Sequence, residues 1–209
     1  LQRGFQSADL RVIEVSEEAR GRLRQSFGVV VAGALDGAIT EDVVLLAVKP
    51  QQMPGVAQGL RPHLRGQLVL SIAAGIRTAD LSRWLGGHDR IVRAMPNTPA
   101  LAGAGMSGLY AAARASQADR DAAQRILGAV GTVVLVDRED LIDGVTAISG
   151  SGPAYVFYFI EALQQAALEL GFDATQARML AIETFRGAAK LAGESTETAA
   201  VLRERVTSR

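Results

Sequence analysis

Short apolar runs alternate with helix-forming stretches over the first two thirds of the chain. The clearest run, 43–48, is continuously apolar, which is typical of a parallel strand covered on both faces. Strands are predicted at 10–15, 28–31, 43–48, 67–72, 90–95 and 132–136, and helices at 17–27, 51–60 and 117–130. This alternation predicts an α/β fold with a doubly wound sheet, which binds ligands at the carboxyl ends of its strands.

The pattern changes after residue 136. A cluster of helix breakers, SGSGP at 149–153, precedes apolar residues at helical spacing from Val156 to Leu170. The spacing predicts two further helices, at 177–191 and 196–206, and no strand. We therefore predict two domains, a sheet domain at 1–140 and an all-helical domain at 141–209.

The composition narrows the function without identifying it. Hydrophobic residues make up 48% of the chain, which is enough to bury a core. The 22 Lys and Arg residues balance 22 Asp and Glu residues, so nothing favours nucleic acid or an anionic membrane as a partner. The absence of Cys excludes disulfides and thiolate metal sites, and two His residues disfavour a histidine metal site. No apolar run approaches the roughly 18 residues of a membrane span.

Two candidate ligand contacts follow predicted strands in the N-terminal part. Glu14 and Ser16 end the first strand, where an acidic residue commonly accepts hydrogen bonds from an adenosine ribose and a hydroxyl binds ribose or phosphate. Capping of the next helix by Ser16 is the plainer interpretation. Lys49 follows small residues at a strand end and would bring a cation to the ligand-binding edge of the sheet. A solvated lysine is also common at such a position.

Two more candidates lie further along the chain. Asn97 and Thr98 are bracketed by prolines that stiffen a loop after a strand, which suits ligand binding but is also typical of an ordinary turn. Glu139 precedes the glycines of 149–153, which would admit an anion close to a helix N-terminus. A charged first turn before a helix junction explains that segment equally well.

Together, in this order and spacing, the segments are specific. The chain resembles the pyrroline-5-carboxylate reductase family over essentially its whole length. The matching stretches are VLLAVKPQ at 44–51, SIAAG at 71–75, RAMPNTP at 93–99 and EDLIDGVTAISGSGPAY at 139–155. The last stretch is highly specific to the family.

The resemblance implies roles for individual residues. It places Glu139 near the ring nitrogen of the proline product, where a carboxylate suits a cationic imine or amine. The cofactor contacts expected from the resemblance and from the strand ends are Glu14, Ser16, Val48, Lys49, Pro50, Ala74, Asn97, Thr98 and Arg205. The catalytic group is left unknown, because the family's threonine at the ring nitrogen would lie beyond Arg209. No metal is expected.

The resemblance also implies an activity. Family members are cytoplasmic oxidoreductases that transfer a hydride from NADPH or NADH to 1-pyrroline-5-carboxylate and form L-proline, the last step of proline biosynthesis. A Rossmann-type domain binds the cofactor, and a helical domain builds a homodimer or a larger ring such as a decamer, whose partner subunit completes the active site. We expect neither nucleic acid nor a membrane as a partner. Glu14 would repel a 2′-phosphate, so we expect NADH to be accepted at least as well as NADPH.

The chain departs from the family at both ends. The expected first strand and glycine-rich pyrophosphate loop are not found before Leu1, and the expected Gly-Gly-Thr loop would follow Arg209. We expect both to be disordered or cut away rather than lost in evolution, and the remaining chain to self-associate without catalysis. One rival is a 3-hydroxyacid or 6-phosphogluconate dehydrogenase, but the lysine it needs on the interdomain helix is not found in 153–170. The other rival is a remnant that dimerises without binding a cofactor.

Overall fold

Strands and helices alternate over most of the chain, and helices alone follow. The structure, a computed structural model, describes residues 4–207. The strands are β1 (Arg11–Ile13), β2 (Val30–Ala32), β3 (Val43–Leu46), β4 (Leu68–Ser71), β5 (Ile91–Met95), β6 (Gly105–Ala111) and β7 (Gly131–Leu135). The helices are α1 (Glu17–Phe27), α2 (Met53–Leu60), α3 (Thr78–Trp84), α4 (Gln117–Gly128), α5 (Leu141–Val145), α6 (Gly152–Glu169), α7 (Ala174–Glu194) and α8 (Ala199–Val206). A π-helical turn, Thr146–Gly150, continues α5.

The strands form two hydrogen-bonded sheets. β1 and β2 pair in parallel, and the other strands form a five-stranded sheet in the order β3-β4-β5-β6-β7. Its neighbours are parallel except for β5 and β6, which are antiparallel. An ion pair between Arg11 at the start of β1 and Glu41 just before β3, with Nε 2.7 Å from Oε1, joins the amino ends of the two sheets.

Two apolar clusters pack against the five-stranded sheet. Val69 of β4 belongs to one cluster, together with residues of α2 and α3, whereas Leu68 and Leu70 belong to the other, together with residues of α4. All four residues of β4 are buried. Because successive side chains of a strand point to opposite faces, helices cover both faces of the sheet, as continuously apolar strands predict.

The fold class predicted from the sequence, an α/β Rossmann-type sheet followed by a helical domain, is confirmed. Every predicted strand and helix is present, with ends shifted by a few residues. Three elements lie outside the prediction, namely β6, α3 and α5. β6 contains two glycines and a serine, which disfavour a strand, yet it pairs on both sides. α3 has only 7 residues, and Arg77, its N-cap, provides no side-chain cap. β6 and α3 form through tertiary contacts more than through local propensity.

The chain divides into two compact units, one up to Ser151 and one from Gly152. The division predicted near residue 140 comes before α5, whereas the compact units divide after it, because α5 packs against β5 and β6. No helix within residues 4–207 is long and apolar enough to cross a membrane.

The second unit is a pair of long helices followed by a short one. α6 and α7 pack against each other and are joined through Gly171, whose φ of 94° suits glycine. Only small residues are buried in these helices, namely Ala167, Ala177 and Ala181. Large apolar residues such as Phe157 are exposed instead.

Candidate functional site

The carboxyl ends of three adjacent parallel strands define the candidate site. Leu46 of β3, Ser71 of β4 and Arg93 of β5 lie side by side in the sheet. The predicted contacts follow directly, with Val48, Lys49 and Pro50 after β3, Ala74 after β4, and Asn97 and Thr98 after β5. The structure therefore brings these six residues to one edge of the sheet, where ligands of doubly wound folds bind.

The loop after β3 presents a free cation. Val48 and Pro50 are half-buried, and Pro50 starts a short 3-10 turn that Lys49 precedes in an extended conformation. The Lys49 side chain is exposed and has no ion-pair or hydrogen-bond partner among residues 4–207. Such an ammonium group is available to an anionic or hydroxyl-bearing ligand.

The loop after β4 is open to a close approach of a ligand. Ala74 and Gly75 are exposed, and Gly75 has a φ of 74° with no atom within 4 Å of the place where a side chain would begin. The start of the loop is fixed by the buried Ser71, whose Oγ accepts a hydrogen bond from the Ala73 amide at 3.4 Å. The small residues therefore leave the backbone accessible at this edge.

The Asn97 side chain is engaged within the protein. Its Nδ2 donates to the carbonyl oxygen of Ser149 at 3.1 Å and to the Ser149 hydroxyl at 3.2 Å, while its Oδ1 accepts from the Met106 amide at 2.9 Å. Asn97 thus ties the loop after β5 to the π-helical turn and to β6. Thr98, beside it, is exposed.

Glu139 is also engaged within the first unit. Its Oε1 accepts from the Thr78 amide at 2.7 Å and from Arg93 Nη1 at 3.3 Å, and its Oε2 accepts from the Thr78 hydroxyl at 3.0 Å. Arg93 Nη2 donates to Asp143 Oδ1 at 3.0 Å. Only 17% of the Glu139 side chain is exposed, and its predicted contact with the ring nitrogen stays a prediction.

The contacts at the end of β1 are those of a capped helix. The Ser16 hydroxyl accepts from the Ala19 amide at 3.3 Å, and Glu14 Oε1 accepts from the Ser16 amide at 2.8 Å. Arg20 Nη1 donates to the carbonyl oxygens of Glu14 and Val15 at 2.6 and 2.9 Å. Glu14 nonetheless keeps an oxygen without a hydrogen-bond partner among the described residues, so the ribose contact predicted for it stays open.

Arg205 belongs to the second unit, whereas the other predicted contacts belong to the first. It is exposed near the end of α8 and forms an ion pair with Glu197. Its predicted cofactor contact stays a prediction.

The sequence-based reasoning missed three members of the network around Glu139, namely Thr78, Arg93 and Asp143. One of them carries a usable signal. Arg93 stands in an otherwise apolar strand between Val92 and Ala94, and a charged residue in such a strand needs an opposite charge as its partner. Within residues 4–207 no group of three or more acidic or histidine side chains is arranged to hold a metal ion.

Two family models match the two ends of the chain. A family model described as pyrroline-5-carboxylate reductase dimerisation matches residues 139–209, and one described as NADP oxidoreductase, coenzyme F420-dependent, matches residues 1–75. The pyrroline-5-carboxylate reductase of Pseudomonas aeruginosa is 44% identical over 98% of this chain and 76% of its own length.

Solved structures agree with this placement. The structure of a pyrroline-5-carboxylate reductase from Coxiella burnetii matches with a TM-score of 0.90 at 40% identity, over 99% of this chain and 77% of that one. The Plasmodium falciparum pyrroline carboxylate reductase, solved with NADP bound, matches with a TM-score of 0.79 at 28% identity, over 87% of this chain and 69% of that one.

Proposed function

Because the chain belongs to the pyrroline-5-carboxylate reductase family, we propose that it reduces 1-pyrroline-5-carboxylate to L-proline with NADPH or NADH. The observation that carries this proposal is the 44% identity to the Pseudomonas aeruginosa reductase over 98% of the chain. In the reaction the C5 carbon of the C=N bond gains a hydride and the ring nitrogen gains a proton, while NAD(P)H becomes NAD(P)⁺. A bound nicotinamide cofactor supplies the hydride chemistry, and the protein supplies position and electrostatics.

The strand ends fit the nicotinamide half of such a cofactor. Ala74 and Gly75 leave open space beside the backbone, which a flat ring or a ribose requires. Lys49 offers an unpaired ammonium group at the same edge. We assign Val48, Lys49 and Pro50 to the nicotinamide and its ribose, and Ala74 to the side of the cofactor.

The loop after β5 orients the same region. Because the Asn97 amide is held by Ser149 and Met106, its role in this proposal is to fix the loop from which the exposed Thr98 reaches the nicotinamide end. A loop that is rigid before the ligand arrives loses little entropy on binding.

The end of β1 fits the adenosine half. Glu14 is held in place by the Ser16 amide and has an oxygen left to accept from a ribose hydroxyl. We therefore assign Glu14 and Ser16 to the adenosine ribose and expect NADH to be accepted at least as well as NADPH.

The second unit supports self-association. A family model of dimerisation matches residues 139–209, and the helices α6 and α7 expose large apolar side chains. We propose a homodimer, or a larger ring such as a decamer, in the cytoplasm, with the partner subunit completing the substrate site and Arg205 reaching the cofactor.

The test is substrate-dependent oxidation of the cofactor by the full-length protein. We expect NADH and NADPH to be oxidised only when pyrroline-5-carboxylate is added, with formation of an equal amount of L-proline. A protein that binds the cofactor but shows no such turnover would refute the assignment. A large kinetic preference for NADPH would refute only the expectation about Glu14.

A further inference from the structure

Arg93 is a buried charge in the middle of β5. The residue is 2% exposed, and its strand neighbours are apolar. A buried guanidinium is strongly unfavourable unless opposite charges pair with it. Two carboxylates do so, Glu139 just before α5 and Asp143 within it, at 3.3 and 3.0 Å. Arg93 Nε has no hydrogen-bond partner among the described residues, so these two carboxylates alone hold the guanidinium group.

Glu139 also caps α3 from a distant part of the chain. Thr78 is the first residue of α3, and Arg77 before it contributes no side-chain cap. Glu139 satisfies the Thr78 amide and hydroxyl instead, although it lies 61 residues away in sequence. A carboxylate at a helix N-terminus is favourable for both the free amides and the helix dipole. One side chain therefore joins β5, the segment before α5 and the start of α3.

The segment that this cap holds is the loop between β4 and α3. The loop, 72–77, carries Ala74 and Gly75 at the candidate cofactor edge. Ser71 fixes its first end and Glu139 its second. Arg77, at the second end, also lies 3.4 Å from Asp143, but both of these side chains are more than half exposed, so that ion pair is weak. The buried contact through Glu139 is the stronger restraint on the loop.

We propose that Glu139 is a positioning residue for the reduction, a role separate from any contact that it makes with the ring nitrogen. It fixes the start of α3, and thereby holds the loop at 72–77 at the same edge of the sheet as Lys49 and Asn97. This inference rests on the proposed function. It predicts that the removal of the Glu139 charge disturbs cofactor binding, whereas a carboxylate that served only the ring nitrogen would affect the imine alone.

The experiment compares variants of the full-length protein. Glu139→Gln keeps the shape and removes the charge, Thr78→Val removes one of the capping contacts, and Thr78→Ser retains it. The control is Asp119→Asn, because Asp119 is also a buried carboxylate paired with an arginine, Arg90, at the opposite end of β5. For each protein we measure the dissociation constant of NADH by titration, both KM values and the melting temperature.

The chain provides a local probe of α3. Trp84, the only tryptophan of residues 1–209, is the last residue of that helix and packs against the apolar cluster beneath it. Acrylamide quenching of Trp84 fluorescence therefore reports whether α3 has shifted. A loss of stability elsewhere in the folded protein leaves this signal unchanged.

We expect Glu139→Gln to weaken NADH binding and to raise both KM values by about tenfold, since small misplacements of a site have large kinetic effects. Trp84 should become more accessible, Thr78→Val should act in the same direction, and Thr78→Ser should behave as the wild type. Asp119→Asn should lower the melting temperature only.

Three results would overturn the inference. A rise confined to the KM for pyrroline-5-carboxylate would make Glu139 a substrate contact. A lower melting temperature with unchanged NADH binding and unchanged Trp84 quenching would make it merely structural. If the wild type does not turn over, the proposed function fails, and the NADH titration and Trp84 quenching still decide the role of Glu139, with unchanged values in Glu139→Gln overturning it.

Discussion

At the residue scale, Lys49 is the exposed cation of the candidate site. Its contribution to cofactor binding can be measured separately from its contribution to the stability of the fold. Lys49→Ala should weaken NADH binding by about tenfold, corresponding to the loss of one charge-assisted contact. The free energy of unfolding should change by no more than about 0.5 kcal/mol, because the side chain has no partner among residues 4–207. Fluorescence titration and urea unfolding measure the two quantities. Lys190→Ala, at the chain's other lysine, is the control. Unchanged NADH affinity would make Lys49 an ordinary solvated lysine.

Asp119 is the residue whose charge most clearly links stability to pH. Arg90 lies 2.6 Å from its Oδ1, and the Ser116 amide and hydroxyl donate to its Oδ2 at 2.8 and 2.9 Å. The hydrogen bond from Arg90 is the main cause that lowers the pKa of Asp119 below its usual 3.8, with the Ser116 contacts adding to it against the opposing effect of burial. The charged form of Asp119 therefore stabilises the folded state.

The sign of the pH dependence follows from this lowered pKa. The stabilisation is complete above the usual value of 3.8 and is lost as pH falls through the lower folded-state pKa. Asp119→Asn should cost about 1–3 kcal/mol at neutral pH, and the difference from the wild type should shrink in acid. Urea unfolding of both proteins over a pH series measures it. A difference that stays constant with pH would show that packing, not charge, carries the effect.

Residue types at the strand ends could be predicted from sequence, but their partners could not. Lys49 and Ala74 lie at the predicted edge because strand ends follow from apolar patterning. The hydrogen bonds of Glu139 and Asn97 run to residues 61 and 52 positions away, a separation over which periodicity carries no information. Family resemblance therefore located these residues without revealing what they contact.

At the element scale, the close approach of β6 and α5 depends on one glycine. A side chain at Gly108 would lie 2.6 Å from Val145 Cγ2, which real contacts do not allow. Gly108→Ala should destabilise the protein by about 1–3 kcal/mol, because α5 would have to move away from the sheet. Gly59→Ala in α2, where the space is open, should be neutral or stabilising.

A double variant assigns the Gly108 effect to this contact. Val145→Ala removes both methyl groups that the new side chain would meet, so its cost and that of Gly108→Ala should not add. Urea unfolding of the two single variants and the double variant measures the coupling free energy. If the two losses of unfolding free energy simply add in the double variant, the side chain at residue 108 clashes with a group other than Val145.

The strand β6 and the helix α5 also show why some elements could not be predicted from the apolar pattern of the sequence. Glycines in β6 obscure its strand character, although close packing against Val145 is what makes one of them necessary. The helix α5 is short and carries one fully buried apolar residue, Ile142, so its place on the sheet has no periodic signal. The long helices α6 and α7, whose apolar spacing is regular, were predicted within a few residues.

At the scale of the whole molecule, the exposed apolar surface of α6 indicates where subunits associate. Aromatic side chains at four neighbouring positions are more than half exposed, namely Tyr155, Phe157, Tyr158 and Phe159. A helix that is apolar around most of its circumference is normally buried, and α7 covers only part of α6. A continuous exposed apolar surface of this kind marks a subunit interface.

Phe157→Asp tests that interface, because the Phe157 ring makes no ring contact within the described chain, whereas Phe159 lies 6.4 Å from Phe185. Burial of a phenylalanine contributes about 1.5–3 kcal/mol, and a symmetric dimer contains the change twice, so the dissociation constant should rise at least about a hundredfold. Sedimentation should show a dimer or larger species for the wild type and a shift toward monomer for Phe157→Asp, with helical circular dichroism retained. Lys190→Ala alters the net charge equally on exposed surface and should leave assembly unchanged. A monomeric wild type would contradict the proposed assembly, whereas a fully assembled Phe157→Asp protein would show that the interface lies on another face of α6.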